Sequence, residues 1–339
     1  MTASASTSPG PVVVLCADDG YAMAAGVCVR SIARNYAGEE PLQLLFLADS
    51  IRPANRERIL ECASGAAKVS IRWVEADPSA SGKRSKTDFA HPTYWRLRIP
   101  ELLSTEHRKA IYLDTDTVVT ANLGELWQQD LGPYALLAAQ DYDHVVSSPG
   151  HFPIHRRLGI PATNRYFNAG ALVLNLDFWR AQDVARRCFE FLERFGESCA
   201  FYEQDALNGV LFRHWAPLER RWNWQDPHTE AAFPGVVRRW RRQLLRVPPP
   251  EIPAERVVHF CGIRKPWQAG YLGQGRALFY EYLDQTPWRG WRVSQAQDLA
   301  ALYRRDLPRA ARRLADHGRA AMAKLDRPVR AALGLTVPP

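Results

Sequence analysis

The sequence predicts an α/β fold: a single, mainly parallel, twisted sheet with helices on both faces. In the first third, short β-branched and aliphatic runs alternate with longer segments whose apolar residues recur at helical spacing. Several of those runs are apolar at nearly every position, as strands covered on both faces require. Two of them end in acid pairs, Asp18-Asp19 and Asp114-Thr115-Asp116, and ligands of such sheets gather beyond the carboxyl ends of the strands.

The elements follow in order. "PVVVLCAD" (11–18) reads as a buried strand, and the helix after it places Ala24, Val27, Cys28, Ser31 and Ile32 on one face. "LQLLFLAD" is a strand, "IRPANRERILECAS" a helix, "KVSIRWVEA" a strand, "TYWRLRIPELL" a helix and "KAIYLDTD" a strand. "YALLAAQDYD" and "YFNAGALVLNL" add strands, and "FWRAQDVARRCFEFLERF" reads as one amphipathic helix. Residues 213–250, rich in Trp, Arg and Pro, read as irregular; "RVVHFCG" is a strand running into a turn. No internal repeat is visible.

A chain of 339 residues can bury a sizeable core. Its six cysteines are scattered, with no C-x-x-C, which favours reduced thiols and a cytoplasmic address. The polar start, 1–10, reads as disordered and lacks the basic and apolar stretches of a signal peptide; no segment is long and apolar enough to span a bilayer. Much of the formal +8 charge sits between Arg304 and Arg330, where nine basic residues face three aspartates. A nucleic-acid-binding protein would carry its basic stripe on the folded body, and no such motif is present. The first strand opens onto "ADDGY", without G-x-G-x-x-G, and no P-loop occurs anywhere, so dinucleotide and P-loop sites are poor readings.

Two carboxylates behind an apolar strand require compensation. An Asp-x-Asp is weak by itself, and the chain holds a second one, Asp141-Tyr142-Asp143. The pair Asp114 and Asp116 has no basic neighbour in sequence, so it is either a solvated turn or half a site for a hard divalent cation. "VVHFCGIRKPW" (257–267) adds His259 at a strand end and Lys265, a point charge for phosphate oxygens. Acid pair, His and Lys together describe a metal–diphosphate site.

"CADDGY", "TYWRLRIPELL", "AIYLDTDTVV", "YFNAGALVLNL", "EQDALNG" and "HFCGIRKPW" stand in the order and at about the spacing of the retaining family 8 glycosyltransferases. Over roughly residues 11–292 the chain resembles that family, and within it the bacterial lipooligosaccharide and lipopolysaccharide α-galactosyltransferases. The resemblance implies a GT-A type, Rossmann-like domain over 11–292, followed by a basic helical tail, 293–339. It implies Mn²⁺, with Mg²⁺ as the alternative, on Asp114, Asp116 and His259, bridging the phosphates of a UDP-sugar. Gly262 and Lys265 would hold the diphosphate, with Thr115 beside it. Ala17, Asp18 and Tyr21 would hold the uridine, and Arg96, Asp141, Asn168 and Glu203 the sugar hydroxyls. Ala169 and Gly170 would line the sugar site, with Gln204 on the far face of the anomeric carbon; Gln204, Asp205 and Arg96 are the candidate catalytic residues.

The chain departs from the family at Gly20, where relatives carry Asn, at Glu203, where they carry Asp, and in "DFAHP" (88–92) at the acceptor edge. The implied reaction moves galactose or glucose with retention to a carbohydrate or glycolipid hydroxyl, with a protein or small-molecule acceptor as the alternative. Gln204 is a poor nucleophile, so front-face attack is favoured over double displacement. The tail interleaves Leu302, Leu307, Leu314, Met322 and Leu325 with its basic residues. It is expected to hold the enzyme, a monomer, peripherally on the anionic inner face of the plasma membrane; a solvated helix packed on the body is the alternative.

Overall fold

The computed structural model describes residues 9–75, 92–148, 150–226, 253–262, 264–271 and 273–298. The proposed tail beyond 298, the first eight residues and residues 88–91 of the "DFAHP" segment lie outside them. The larger of two compact units runs to Lys265 and includes Gly273–Trp291; it holds every element below. The smaller joins Pro266–Leu272 to the segment from Arg292, and within it the Gly270 N–H donates to Asp298 Oδ1 at 2.7 Å.

Among the described residues, ten strands form two sheets: β1 (Val12–Asp18), β2 (Leu42–Asp49), β3 (Val69–Glu75), β4 (Lys109–Leu113), β5 (Thr117–Val119), β6 (Leu136–Val145), β7 (Arg165–Asn175), β8 (Trp215–Pro217), β9 (Trp224–Gln225) and β10 (Val257–His259). The main sheet has the order β3-β2-β1-β4-β7-β6-β8. It is mainly parallel as expected: β7 alone runs against its neighbours. That reversal matters for the site. It brings the first half of β7, with Asn168 and Gly170, to the rim where β1, β4 and β6 end. Val12, Val13, Val14 and Leu15 in β1 are completely buried, each worth roughly 1.5–3 kcal/mol against exposure.

The helices are α1 (Ala22–Asn35), α2 (Pro53–Cys62), α3 (Ile99–Leu102), α4 (Leu123–Trp127), α5 (Leu176–Ala181), α6 (Val184–Phe195), α7 (Tyr202–Leu211) and α8 (Arg276–Leu283). In α1 the anticipated stripe is buried, and the Asp18 carboxylate caps the turn before it by accepting from the Tyr21 N–H at 3.0 Å. Three expectations are corrected. "TYWRLRIPELL" is a 3-10 turn, Pro92–Arg98, leading into the short α3, because Pro100 has no N–H for a continuous helix. "FWRAQDVARRCFEFLERF" is two helices, broken where Asp183 adopts a left-handed φ of 48°. Residues 213–226 are not wholly irregular: β8 extends the main sheet, and β9 pairs with β10.

The small sheet, β5-β10-β9, sits directly after the acidic pair. β10 lies antiparallel to β5 with His259 opposite Thr117, and the Phe260 N–H donates to the Asp116 carbonyl at 3.0 Å. Pairing alone therefore fixes the His beside the acids.

Candidate active site

Asp114 and Asp116 leave β4 on a short turn anchored at both ends. The Asp114 N–H donates to the Gly170 carbonyl at 2.8 Å, and the Thr115 hydroxyl donates to the Cys16 carbonyl at 3.2 Å. Each carboxylate has one oxygen turned outward and one inward. Asp114 Oδ1 accepts from Arg96 at 2.8 Å and from the Tyr112 hydroxyl at 2.6 Å. Asp116 Oδ2 accepts from Lys265 Nζ at 2.5 Å. The inward oxygens face His259: Nε2 lies 3.6 Å from Asp114 Oδ2 and 3.3 Å from Asp116 Oδ1.

The acidic pair, with no basic neighbour in sequence, is thus neutralised from 18 and 149 residues away. Burial alone would raise the Asp116 pKa, but Lys265 and His259 outweigh it and hold the carboxyl well below the usual range. Burial would likewise lower the His259 pKa; Cys261 and Asp116 reverse that and lift it well above 6.5.

These three groups suit a hard divalent cation. An octahedral ion holding its ligands at about 2 Å spaces neighbouring ligand atoms about 3 Å apart, close to the separations seen. Two carboxylate oxygens and an imidazole nitrogen are the donor types such ions accept. The backbone is built around them: a Cβ on Gly170 would lie 2.1 Å from His259 Cε1 and 2.9 Å from Asp114 Oδ2.

The remaining predicted residues arrange around this centre. Arg96 is buried over the Tyr112 ring, 4.5 Å from its centroid, donates to the Ala169 carbonyl at 2.8 Å, and reaches Glu203 at 3.4 Å. Burial pushes the Glu203 carboxyl up, and Arg96 counters part of that. Asn168 Oδ1 accepts from the Gly170 N–H at 2.9 Å. Gln204 Oε1 accepts from the Ala169 N–H, and its Nε2 donates to Asp141 Oδ2, both at 2.9 Å; a backbone donor on one side and a carboxylate on the other fix the amide's orientation. Ala17 is buried at the end of β1, half-buried Tyr21 follows Asp18, and Gly262 is exposed with φ 93°. Asp19, by contrast, turns to Arg52, just before α2, and to Asn55 within it.

Asp205 does not face this centre. Its Oδ2 accepts from the Phe201 N–H at 2.8 Å and its Oδ1 from the Tyr166 hydroxyl at 2.6 Å, so it secures the start of α7. Burial pushes its carboxyl up to about 6, and those hydrogen bonds offset part of the rise. A carboxyl raised in the folded state contributes stability that is full below its unfolded value and is lost as pH climbs through the folded one. Asp205→Asn carries no such titration. Its stability relative to wild type should improve between about pH 4 and pH 7, by on the order of 3 kcal/mol. Urea unfolding at both pH values measures this, and a difference that does not change with pH would count against it.

Sequence reasoning passed over Asn223, Tyr112 and Tyr166, all of which bond to site residues. Nor did it notice His144 and His151 beside Asp141. Those three could be grouped as ligands, yet the two imidazole centroids are only 3.8 Å apart. Imidazoles sharing one tetrahedral ion at about 2 Å sit roughly 5 Å apart, so this trio is packed too tightly for a shared metal.

A sheet of this order with an acidic turn at its rim is the GT-A type of glycosyltransferase fold. The solved galactosyltransferase LgtC, in complex with donor and acceptor sugar analogues, matches it with a TM-score of 0.63 and 26% identity, covering 84% of this chain and 98% of its own. The chain belongs to glycosyltransferase family 8, whose profile, described as "Glycosyl transferase family 8", matches residues 12–270. Among relatives, General stress protein A of Bacillus subtilis (strain 168) is 28% identical, with 81% of this chain and 94% of that protein aligned. The lipopolysaccharide 1,3-galactosyltransferase of Salmonella typhimurium is 20% identical over 80% of this chain and 77% of its own length.

Proposed function

We propose that this chain transfers galactose or glucose from a UDP-sugar to an acceptor hydroxyl with retention, using Mn²⁺ held by Asp114, Asp116 and His259. The convergence of two carboxylate oxygens and one imidazole nitrogen on a single point carries this reading. Mn²⁺ there would stabilise the charge that builds on the departing diphosphate.

The chain's own residues do the rest. Ala17, Asp18 and Tyr21 hold the uridine, with the Tyr21 ring as its stacking face. Gly262 lets the backbone approach the diphosphate beside Thr115, and Lys265 transfers one of its hydrogen bonds from Asp116 to a phosphate oxygen. Arg96, Asp141, Asn168 and Glu203 grip the sugar, with Ala169 and Gly170 beneath it. As the bond from the anomeric carbon to UDP breaks, the acceptor oxygen bonds to that carbon on the same face, and its proton passes to a phosphate oxygen of UDP. Gln204, its amide held between Ala169 and Asp141, stabilises the positive charge on the sugar through its carbonyl.

A lipopolysaccharide-core or glycolipid acceptor is supported by the name of the Salmonella relative. It also suits a basic tail at the inner membrane face. Among the described residues no helix is long and apolar enough to cross a membrane. The test is UDP release from UDP-galactose, UDP-glucose and UDP-N-acetylglucosamine, each with Mn²⁺ or with EDTA. One of the two hexose donors should be slowly hydrolysed, and EDTA should lower the rate at least about 100-fold. Release that ignores EDTA would overturn the metal assignment, and no release from any donor would overturn the reaction.

A further inference from the structure

His259 serves a cation only if its Nε2 faces the acids and carries no hydrogen when the ion is bound. The other ring nitrogen sets both conditions. Asn223, the last residue of the 3-10 turn Arg220–Asn223, is completely buried, with its Oδ1 3.0 Å from His259 Nδ1. Its Nδ2 donates to Asn168 Oδ1 at 2.8 Å.

The amide's orientation is chemically forced. Asn168 Oδ1 already accepts from the Gly170 N–H, so it is an oxygen, and Asn223 must present its NH₂ there. That leaves Oδ1 for His259. The ring must then donate from Nδ1, which keeps the hydrogen on that nitrogen and leaves Nε2 for the site.

We propose that Asn223 is a positioning residue that orients His259 for the cation and, through the same amide, ties that ligand to Asn168 in the sugar pocket. Cation binding and donor recognition are thereby coupled through one side chain. The inference rests on the Mn²⁺-dependent transferase reading above. It is 36 residues from His259 and 55 from Asn168 in sequence, and its two bonds serve different partners, so they can be separated by substitution. Asn223→Ala removes both. Asn223→Asp keeps an acceptor for His259 Nδ1 and removes the donor toward Asn168.

The experiment follows Mn²⁺ uptake by loss of the free-ion paramagnetic resonance signal, with UDP present, in wild type and both variants. The Michaelis constant for the UDP-sugar and the melting temperature in metal-free buffer are measured alongside. Asn223→Ala should bind Mn²⁺ about 10- to 100-fold more weakly, the usual cost of losing a metal ligand's outer partner. Asn223→Asp should bind Mn²⁺ within about threefold of wild type or tighter, while its donor Michaelis constant rises severalfold. Wild-type Mn²⁺ affinity in a folded Asn223→Ala overturns the inference alone. If Asn223→Ala does not fold, Asn223→Asp decides: Mn²⁺ affinity lost together with donor affinity overturns it, and the split supports it. A wild type that takes up no Mn²⁺ overturns the metal reading and this inference with it.

Discussion

Asp116→Asn and His259→Ala should each lower Mn²⁺-dependent UDP-sugar turnover by about 10³-fold or more, corresponding to the several kcal/mol of charge stabilisation a bound divalent ion supplies. Asp116 offers the better-placed inward oxygen, 3.3 Å from His259 Nε2, and its other oxygen holds Lys265. Losing its charge removes a ligand and leaves the buried Lys265 ammonium without its anion, which costs stability as well. His259→Ala removes a ligand but leaves the Lys265–Asp116 pair intact, so it should unfold closer to wild type. Asp114→Asn should lose activity similarly, with the added effect of loosening Arg96, whose guanidinium it holds at 2.8 Å. Turnover with and without EDTA, read beside the melting temperature of each variant, separates loss of the ion from loss of the fold. Full activity of any of the three in EDTA-treated buffer would remove that residue from the metal site.

Much of this centre was legible in the chain because its parts lie at strand ends. Asp114, Asp116 and His259 each follow or close a short apolar run, and the sheet's geometry carries such positions to one rim. Other features were hidden for physical reasons. The direction of β7 could not be read, since a strand buried on both faces has the same composition whichever way it runs. The break at Asp183 was masked because each side carries buried apolar residues at helical spacing of its own, Leu176 and Trp179 before it and Val184 and Cys188 after it. The compensation of the acids by Arg96 and Lys265 was invisible because the partners meet only in three dimensions. Asn223 was lost in "RRWNWQD", where Trp and Arg dominate and nothing local marks an amide whose work is entirely tertiary.

Gly170→Ala should be as damaging as removing a ligand, although it takes no donor away. An added Cβ would stand 2.1 Å from His259 Cε1, 2.4 Å from Nδ1 and 2.9 Å from Asp114 Oδ2, distances no relaxed structure tolerates. Neither neighbour can yield cheaply. His259 is buried, backed by Asn223 and fixed by its strand pairing with β5, while Asp114 is held by Arg96 and Tyr112. The backbone of Gly170 cannot retreat either, because its carbonyl accepts from the Asp114 N–H and its own N–H donates to Asn168. The ring must therefore swing away from the acids. Mn²⁺ affinity and turnover should fall together, turnover by about 10³-fold, with a stability cost of about 1–3 kcal/mol for the overpacked core. Mn²⁺ titration and urea unfolding of the purified variant measure the two effects. A Gly170→Ala protein that binds Mn²⁺ like wild type would show that the imidazole does not need this position to serve as a ligand.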